Sequence, residues 1–459
     1  MGSLSTGSGS RTSFRRDGQA SAYRPRHPET TVLYEALEQD FEAYEWAHAE
    51  RYEQRSGPLR PVVRRSVFAY LDCGRLHGGF ARIRCPKCHA EHLLAFSCRT
   101  RNLCPSCQAK RSAVFAEWLV EDVLLDVVHR HVVFTIPKAL RGLIERERPL
   151  HGLMAKAAWQ TLREMTSTAA CEPKGVPGVV ASLQTFGSYG ANFHPHLHAI
   201  ATEGVITPDG RFHPVIWPRK RELEERFRCR FLTLLEKAGR LSPSFHATLL
   251  SWRHSGFSVD ASQRVPAGED VRLERLARYA TRVSLAVGAV RDRQDGRIEI
   301  DTPPDPHTGA RVKVFDRLDF IHAVCQQIPD AKLHQVRYYG AYSSRKRKAL
   351  REAMAAREGE GLAPGEDATS SEAPPAPPTD APRPATPGSA EARRRQSWAR
   401  MLRKVFEIEP LVCRRCGEEM VIVAWITRTD VIDHIMPTSG LCRAGLGTLH
   451  KPLHSIALR

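Results

Sequence analysis

Two residue patterns in this sequence could do chemistry. In "FHPHLHAIA", residues 193–201, His194, His196 and His198 stand at every second position. Alternate residues of a β-strand share a face. The three imidazoles would therefore project together, with Pro195 and Leu197 on the opposite side. Such spacing, within an otherwise apolar segment, suits one metal ion; the competing reading is a set of hydrogen-bonded histidines. A site built on two histidines keeps positions open for water or substrate, as a catalytic ion requires. The second pattern is cysteine-based. "RCPKCHAEHLLAFSCRTRNLCPSCQAKR" holds Cys85-x2-Cys88 and, fifteen residues on, Cys104-x2-Cys107. Each knuckle sets two thiolates on one side of a metal, and two knuckles complete a tetrahedron. A site closed by four thiolates is structural, with Cys98 and Cys73 as spare thiols beside it. Cys413-x2-Cys416 is half of another such site, with His434, Cys442 and His450 as candidate partners.

The chain that must position these groups has 459 residues, enough for more than one unit. Lys and Arg total 68 against 51 Asp and Glu, a formal charge of +17. That surplus attracts polyanions, nucleic acid first. No apolar run approaches the ~20 residues of a membrane span. The opening "MGSLSTGSGSRTSFRRDG" lacks the apolar core of a secretory signal. The clustered cysteines therefore read as metal thiolates rather than disulfides. Arg82, Arg84, Lys87, Arg99, Arg101, Lys110 and Arg111 surround them and would suit phosphates.

Residues 1–28 are polar and read as disordered. Thr31 to Leu71 carries aromatic and leucine residues at helical spacing, and with the cysteines defines a unit over 29–115. Residues 116–355 alternate helical and strand patterns. "HRHVVFTIP", "GVVASLQTFGS" and "HPHLHAIATEGVI" read as strands, and "GRIEI" with "ARVKVFD" as a hairpin. "RKRELEERFRCRFLTLLEKAGR" and "DVRLERLARYATRVSLAV" read as helices. A Pro- and Ala-rich linker covers 356–392. A small unit over 393–459 holds the helix "SWARMLRKVFEI" and the last CxxC.

"HPHLH" within "LQTFGSYGANFHPHLHAIATEGVI" resembles the HUH (His-hydrophobic-His) motif of rolling-circle insertion-sequence transposases. "CPKCHAEHLLAFSCRTRNLCPSC" looks like that family's N-terminal zinc-binding domain. "LLSWRHSGFSV", "RLERLARYATR", "RYYGAYSSRKR" and "WARMLRKVFEIEPLVCRRCGEEM" look like its later blocks. The resemblance implies an α+β fold: a zinc-ribbon-like N-terminal domain, then an HUH endonuclease core of antiparallel sheet with flanking helices. It implies structural Zn2+, held by Cys85, Cys88, Cys104 and Cys107 with Cys98 beside them. It also implies a catalytic Mg2+ or Mn2+ on His196 and His198, with Gln184 or His194 as third ligand and Glu203 as a further candidate. The nucleophile maps onto Tyr279, attacking single-stranded DNA at element ends to leave a 5′-phosphotyrosine. The position four before Tyr279 is Arg275, so the chain resembles single-tyrosine relatives rather than those with two tyrosines one turn apart. Arg275, Arg278 and Arg282, with Arg345, Lys346 and Arg347, are the expected DNA contacts. Tyr338, Tyr339 and Tyr342 read as base-stacking or core residues.

These features point to a bacterial cytoplasmic, nucleoid-associated protein with no membrane partner, and they are compatible with a homo-oligomer. Two other functions share parts of the pattern. A rolling-circle replication initiator would use the same chemistry. A zinc-ribbon DNA-binding regulator would bind DNA tightly and salt-sensitively without a covalent adduct.

Overall fold

The computed structural model describes residues 28–187, 191–305, 308–360 and 411–438. The expected disordered N-terminus, the helix "SWARMLRKVFEI", and Cys442 and His450 lie outside them, as does most of the expected linker.

Helix α1 (Val32–Arg51) starts where the Thr31 hydroxyl accepts from the Tyr34 amide at 3.2 Å. It buries Leu33, Leu37, Phe41, Tyr44 and His48, a stripe at three- and four-residue spacing. The short α2 (Glu53–Ser56) and α3 (Pro61–Leu71, with proline in its first turn) follow. Strands β1 (Phe80–Arg84) and β2 (Glu91–Ala95) form a hairpin across the Cys85–Cys88 turn, and α4 (Pro105–Trp118) begins just after Cys104.

The core sheet is built from β3 (His129–Thr135), β4 (Gly178–Phe186), β5 (Phe193–Thr202), β8 (Ser258–Val265) and β12 (Val336–Gly340). Their order is β12-β4-β5-β3-β8, with every neighbouring pair antiparallel. Between them run α5 (Lys138–Arg146), α6 (His151–Ala170), the small hairpin β6 (Gly204–Ile206) and β7 (Phe212–Pro214), α7 (Lys220–Lys237) and α8 (Pro243–Ser251). Strand β4 is buried at all nine positions because helices cover both faces of the sheet. One face sets Phe134, Leu183, Leu197 and Ala199 against α6 and α7, where Phe227 and Phe231 are fully buried. Each such aromatic contributes roughly 1.5–3 kcal/mol by burial. The other face sets Val180 and Ile200 against α4 and α9 (Asp270–Ala280).

A three-stranded sheet of β9 (Val290–Asp292), β10 (Ile298–Asp301) and β11 (Val312–Phe315) follows, containing the hairpin expected from "GRIEI" and "ARVKVFD". Helix α10 (Arg317–Cys325) packs on α1. Helix α11 (Ser344–Glu360) extends past position 356, so the expected linker begins later than its composition suggests.

The C-terminal piece departs most from expectation. Strand β13 (Val421–Ile426), followed by α12 (Thr429–Thr438), is no separate unit. It pairs antiparallel with β1, Phe80 facing Ile426 and Arg84 facing Val421, giving the sheet order β13-β1-β2. The mixed α+β class with antiparallel sheets is as the sequence leads one to expect.

Three histidines outside the candidate site are packed as neutral rings. His129 is fully buried against the Tyr342 hydroxyl at 2.5 Å. His151 donates from Nδ1 to the Arg148 carbonyl at 2.8 Å, and His322 lies between the hydroxyls of Tyr44 and Ser56. Burial lowers their pKa values to about 4, 3 and 3 respectively. The unfolded rings titrate near ~6.5. Below that pH the unfolded chain takes up protons that the native rings refuse, so the stabilisation present above ~6.5 is lost as pH falls towards 4. Each ring contributes up to roughly 1.4 kcal/mol per pH unit. Urea-melt midpoints between pH 7.5 and 5 are expected to fall; a flat profile would show these rings to be solvated.

Candidate active site and two cysteine centres

Strand register brings the candidate residues together. On β5, His196 faces Gln184 of β4 and Thr135 of β3, while His198 faces Ser182 and Val133. All project towards α9. The His196 Nδ1 lies 2.8 Å from the His194 carbonyl. A carbonyl only accepts, so the proton sits on Nδ1 and Nε2 keeps a lone pair. His198 Nδ1 lies 2.8 Å from Nε2 of His131, whose own Nδ1 lies 3.0 Å from Gln263 Oε1. Among the described residues, His198 Nε2 and Gln184 Oε1 are buried without a hydrogen-bond partner. Such atoms are costly to leave unpaired, and both are metal-competent donors. Burial, with the neighbouring His196, His131 and Arg282, depresses His198 to about 2. Burial also lowers His196. The rings are therefore neutral, the form that ligates metal.

His194 is turned differently. Its Nε2 accepts from Arg141 Nη2 at 3.2 Å, and burial with this guanidinium lowers it to about 4. The three alternating histidines thus do not close around one point. Glu203, at the far end of β5, is held by Arg130 and Arg264 at 3.1 and 2.9 Å.

Tyr279 occupies the last turn of α9. The helix ends at Ala280, before the "TRVSLAV" that its pattern suggested would continue it. Strand β4 grips this end: Gln184 Nε2 donates to the Tyr279 carbonyl at 2.9 Å and Ser182 Oγ to that of Ala280 at 2.8 Å. The Tyr279 ring is 44% exposed and stands perpendicular to His198, with ring centres 5.4 Å apart. The Arg282 guanidinium lies 4.7 Å over it. Tyr279, Arg282, His194, His196, Lys138, Arg141 and Lys313 line one cavity of about 690 Å³. Arg141 is half-buried there with no ion pair among the described residues. Reading the sequence missed Lys138, Arg141, His131 and Gln263. The alternation "HRH" in the adjacent strand was the available signal for His131.

The expected DNA contacts divide. Arg275 and Arg282 are exposed on either side of Tyr279, and Arg275 lines a second hollow of about 620 Å³ with Arg264 and Arg272. Arg278 is paired with Glu274 at 2.8 Å. Arg345 and Lys346 are exposed at the start of α11, where Arg347 stacks over Trp118. Tyr342 is core, while Tyr338 and Tyr339 are half-buried against Trp118 and Trp159. Around the cysteines, Arg82 and Arg84 pair with Glu91, and Arg101 holds the Asp330 and Leu333 carbonyls.

The cysteines form two quartets rather than one. Cys104 and Cys107 join Cys73 and Cys98, while Cys85 and Cys88 join Cys413 and Cys416. The expectation that Cys85, Cys88, Cys104 and Cys107 share one ion is therefore corrected, as is the pairing of Cys413 and Cys416 with His434. The reason is topological. Cys104 caps α4, which faces Cys73 just beyond α3, whereas β1, which runs into the Cys85–Cys88 turn, pairs with β13 and so brings that turn to Cys413 and Cys416. Neighbouring sulfurs lie 3.4–3.7 Å apart in both quartets. This is near the ~3.8 Å edge of a tetrahedron with Zn–S of about 2.3 Å, and far beyond a disulfide bond.

Comparison with known proteins identifies the class. Residues 178–349, which span β4, β5, α9 and β12, match the family described as "Putative transposase", and residues 45–136 match the "Transposase zinc-binding domain". Both matches are to transposase families and together they cover more than half of the chain, which supports a transposase of the IS91 kind that carries its own zinc-binding domain. The "Putative transposase y4qJ" of Sinorhizobium fredii is 29% identical over 326 residues, 66% of this chain and 79% of that protein. No solved structure matches the chain. A transposase acts on DNA, which accords with the basic composition, and no helix among the described residues is long and apolar enough to cross a membrane.

Proposed function

We propose that this transposase nicks and rejoins single-stranded DNA through a 5′-phosphotyrosine at Tyr279, in rolling-circle transposition of its element. The observation that carries the reading is the pair of unpartnered buried donors, His198 Nε2 and Gln184 Oε1, beside an exposed tyrosine on the same sheet face. His196, His198 and Gln184 would hold a divalent cation such as Mg2+ or Mn2+. His194, engaged by Arg141, is set aside as third ligand. Bound there, the cation supplies Lewis-acid polarisation of a phosphate oxygen.

The chain's own residues do the rest. Tyr279 Oη forms a bond to phosphorus while the 3′-oxygen leaves with its bonding pair and takes up a proton. The phenol proton leaves to solvent, to which the side chain is open. Because the phosphodiester is exchanged rather than hydrolysed, the freed 3′-OH can later reverse the step on a new strand. Arg282 and Arg141 supply charge to the phosphate. Single-stranded oligonucleotides bearing the element's ends, with Mg2+ or Mn2+, are expected to yield a protein–DNA adduct that survives denaturation. Salt-sensitive binding without an adduct would favour a DNA-binding regulator.

The Gln263–His131–His198 chain orients the cation site. With the Gln263 carbonyl accepting from His131 Nδ1, His131 Nε2 accepts from His198 Nδ1–H, which leaves the His198 Nε2 lone pair directed into the site. Partners of this kind typically alter metal affinity by about 10–100-fold. His131→Ala is expected to weaken Mn2+ binding within that range, as read by titration of the free-ion EPR signal. Unchanged affinity would reduce His131 to a packing residue.

A further inference from the structure

The inner quartet, Cys73, Cys98, Cys104 and Cys107, lies wholly inside the matched zinc-binding domain. The outer quartet does not, since Cys413 and Cys416 stand more than three hundred residues from Cys85 and Cys88. We infer that these four thiolates form a second zinc site, a split ribbon in which Zn2+ fastens the C-terminal strand to the N-terminal domain.

The two knuckles are the same turn, built twice. In the first, the His89 amide donates to the Cys85 carbonyl at 3.1 Å, and the Cys85 amide to that of Ala90 at 2.8 Å. In the second, Gly417 donates to Cys413 at 2.8 Å, and Cys413 to Glu418 at 2.8 Å. The offsets are identical. At the fourth position after each leading cysteine the backbone is left-handed, with φ 56° at His89 and 74° at Gly417. A residue with a side chain adopts that conformation at a cost, and at His89 it is held in the turn that brings Cys85 and Cys88 together. The knuckles then meet crosswise, Cys85 with Cys416 at 3.5 Å and Cys88 with Cys413 at 3.4 Å. The outer quartet therefore takes two thiolates from each turn, the pattern of a closed structural site.

The apolar support is thin. Ala81, Ile83, Leu411 and Met420 form a small cluster around the sulfurs, Phe80 packs on Ile426 and Ile432 in a second one, and β13 leaves Val423 and Trp425 exposed on its outer side. So little buried surface does not fix two distant segments unaided, and small modules of this size draw their folding free energy from the metal. Cys88 and Cys416 are partly exposed, so the outer ion is reachable by chelators and oxidants, whereas three of the four inner thiols are buried.

The inference rests on the family's zinc chemistry, and a stoichiometry measurement separates the two. Full-length protein, purified with zinc and desalted, is expected to hold two zinc ions per chain by elemental analysis, and Cys413→Ser/Cys416→Ser one. Zinc-free wild type would sink the zinc reading altogether. One zinc per wild-type chain, unchanged in the double variant, would overturn the split site alone. A second readout covers misfolding of the variant. A protease site introduced between residues 361 and 410 should give a C-terminal fragment that co-elutes with the remainder, and brief chelation should release it. Release unaffected by the metal would likewise refute the inference.

Discussion

Tyr279→Phe is expected to abolish the denaturation-resistant adduct on single-stranded end DNA, by at least about 10³-fold in rate, while leaving DNA binding close to wild type. The change removes one oxygen from a ring that is 44% exposed and touches His198 and Arg282 through its face and edge. Helix α9 is held by backbone carbonyls of Tyr279 and Ala280, which the substitution leaves in place. Stability should therefore be unaffected, and loss of the adduct would report chemistry. An adduct that persists in Tyr279→Phe would transfer the role to another tyrosine. The described alternatives are poor: Tyr342 is fully buried, and burial raises both Tyr338 and Tyr339 above the ordinary phenol range.

The second large effect is expected at His198. His198→Ala removes the nitrogen that has no partner among the described residues, and should weaken Mn2+ or Mg2+ binding by at least about 100-fold, with adduct formation falling in parallel. His194→Ala is the contrast. Its Nε2 already accepts from Arg141, so metal affinity should change little. Isothermal titration of both variants decides the matter. Equal losses would mean that His194 rotates into the site on metal binding. No loss in either would remove the metal from this face of the sheet.

Much of the core was legible because its signals are local. The alternation of His194, His196 and His198 defined β5, and the Leu223, Phe227, Phe231 stripe defined α7. What escaped depends on contacts between distant segments. Two CxxC turns of identical spacing carry no mark saying which partner each takes. The assignment came from β1 pairing with β13, and no periodicity encodes that pairing. The three histidines share a strand but not a target, because Arg141 on α5 claims one of them. Helix α9 stops at Ala280 although its pattern runs on, since polar side chains of β4 capture its last carbonyls. His131 gains its partner His198 only where β3 lies beside β5.

The antiparallel pairing of Phe80 with Ile426 sets an order of events during synthesis. The ribosome releases β1 long before β13 exists. At about 5–20 residues per second the wait is roughly 20–70 s. Throughout it the outer edge of β1 has no neighbour, and the Cys85–Cys88 turn offers two thiolates with no counterpart. Helices and the core sheet can form in that interval, but the N-terminal sheet is finished last. Any nonsense mutation or frameshift ahead of Cys413 would therefore expose a fault at the opposite end of the chain, as an open strand edge that invites pairing with other chains.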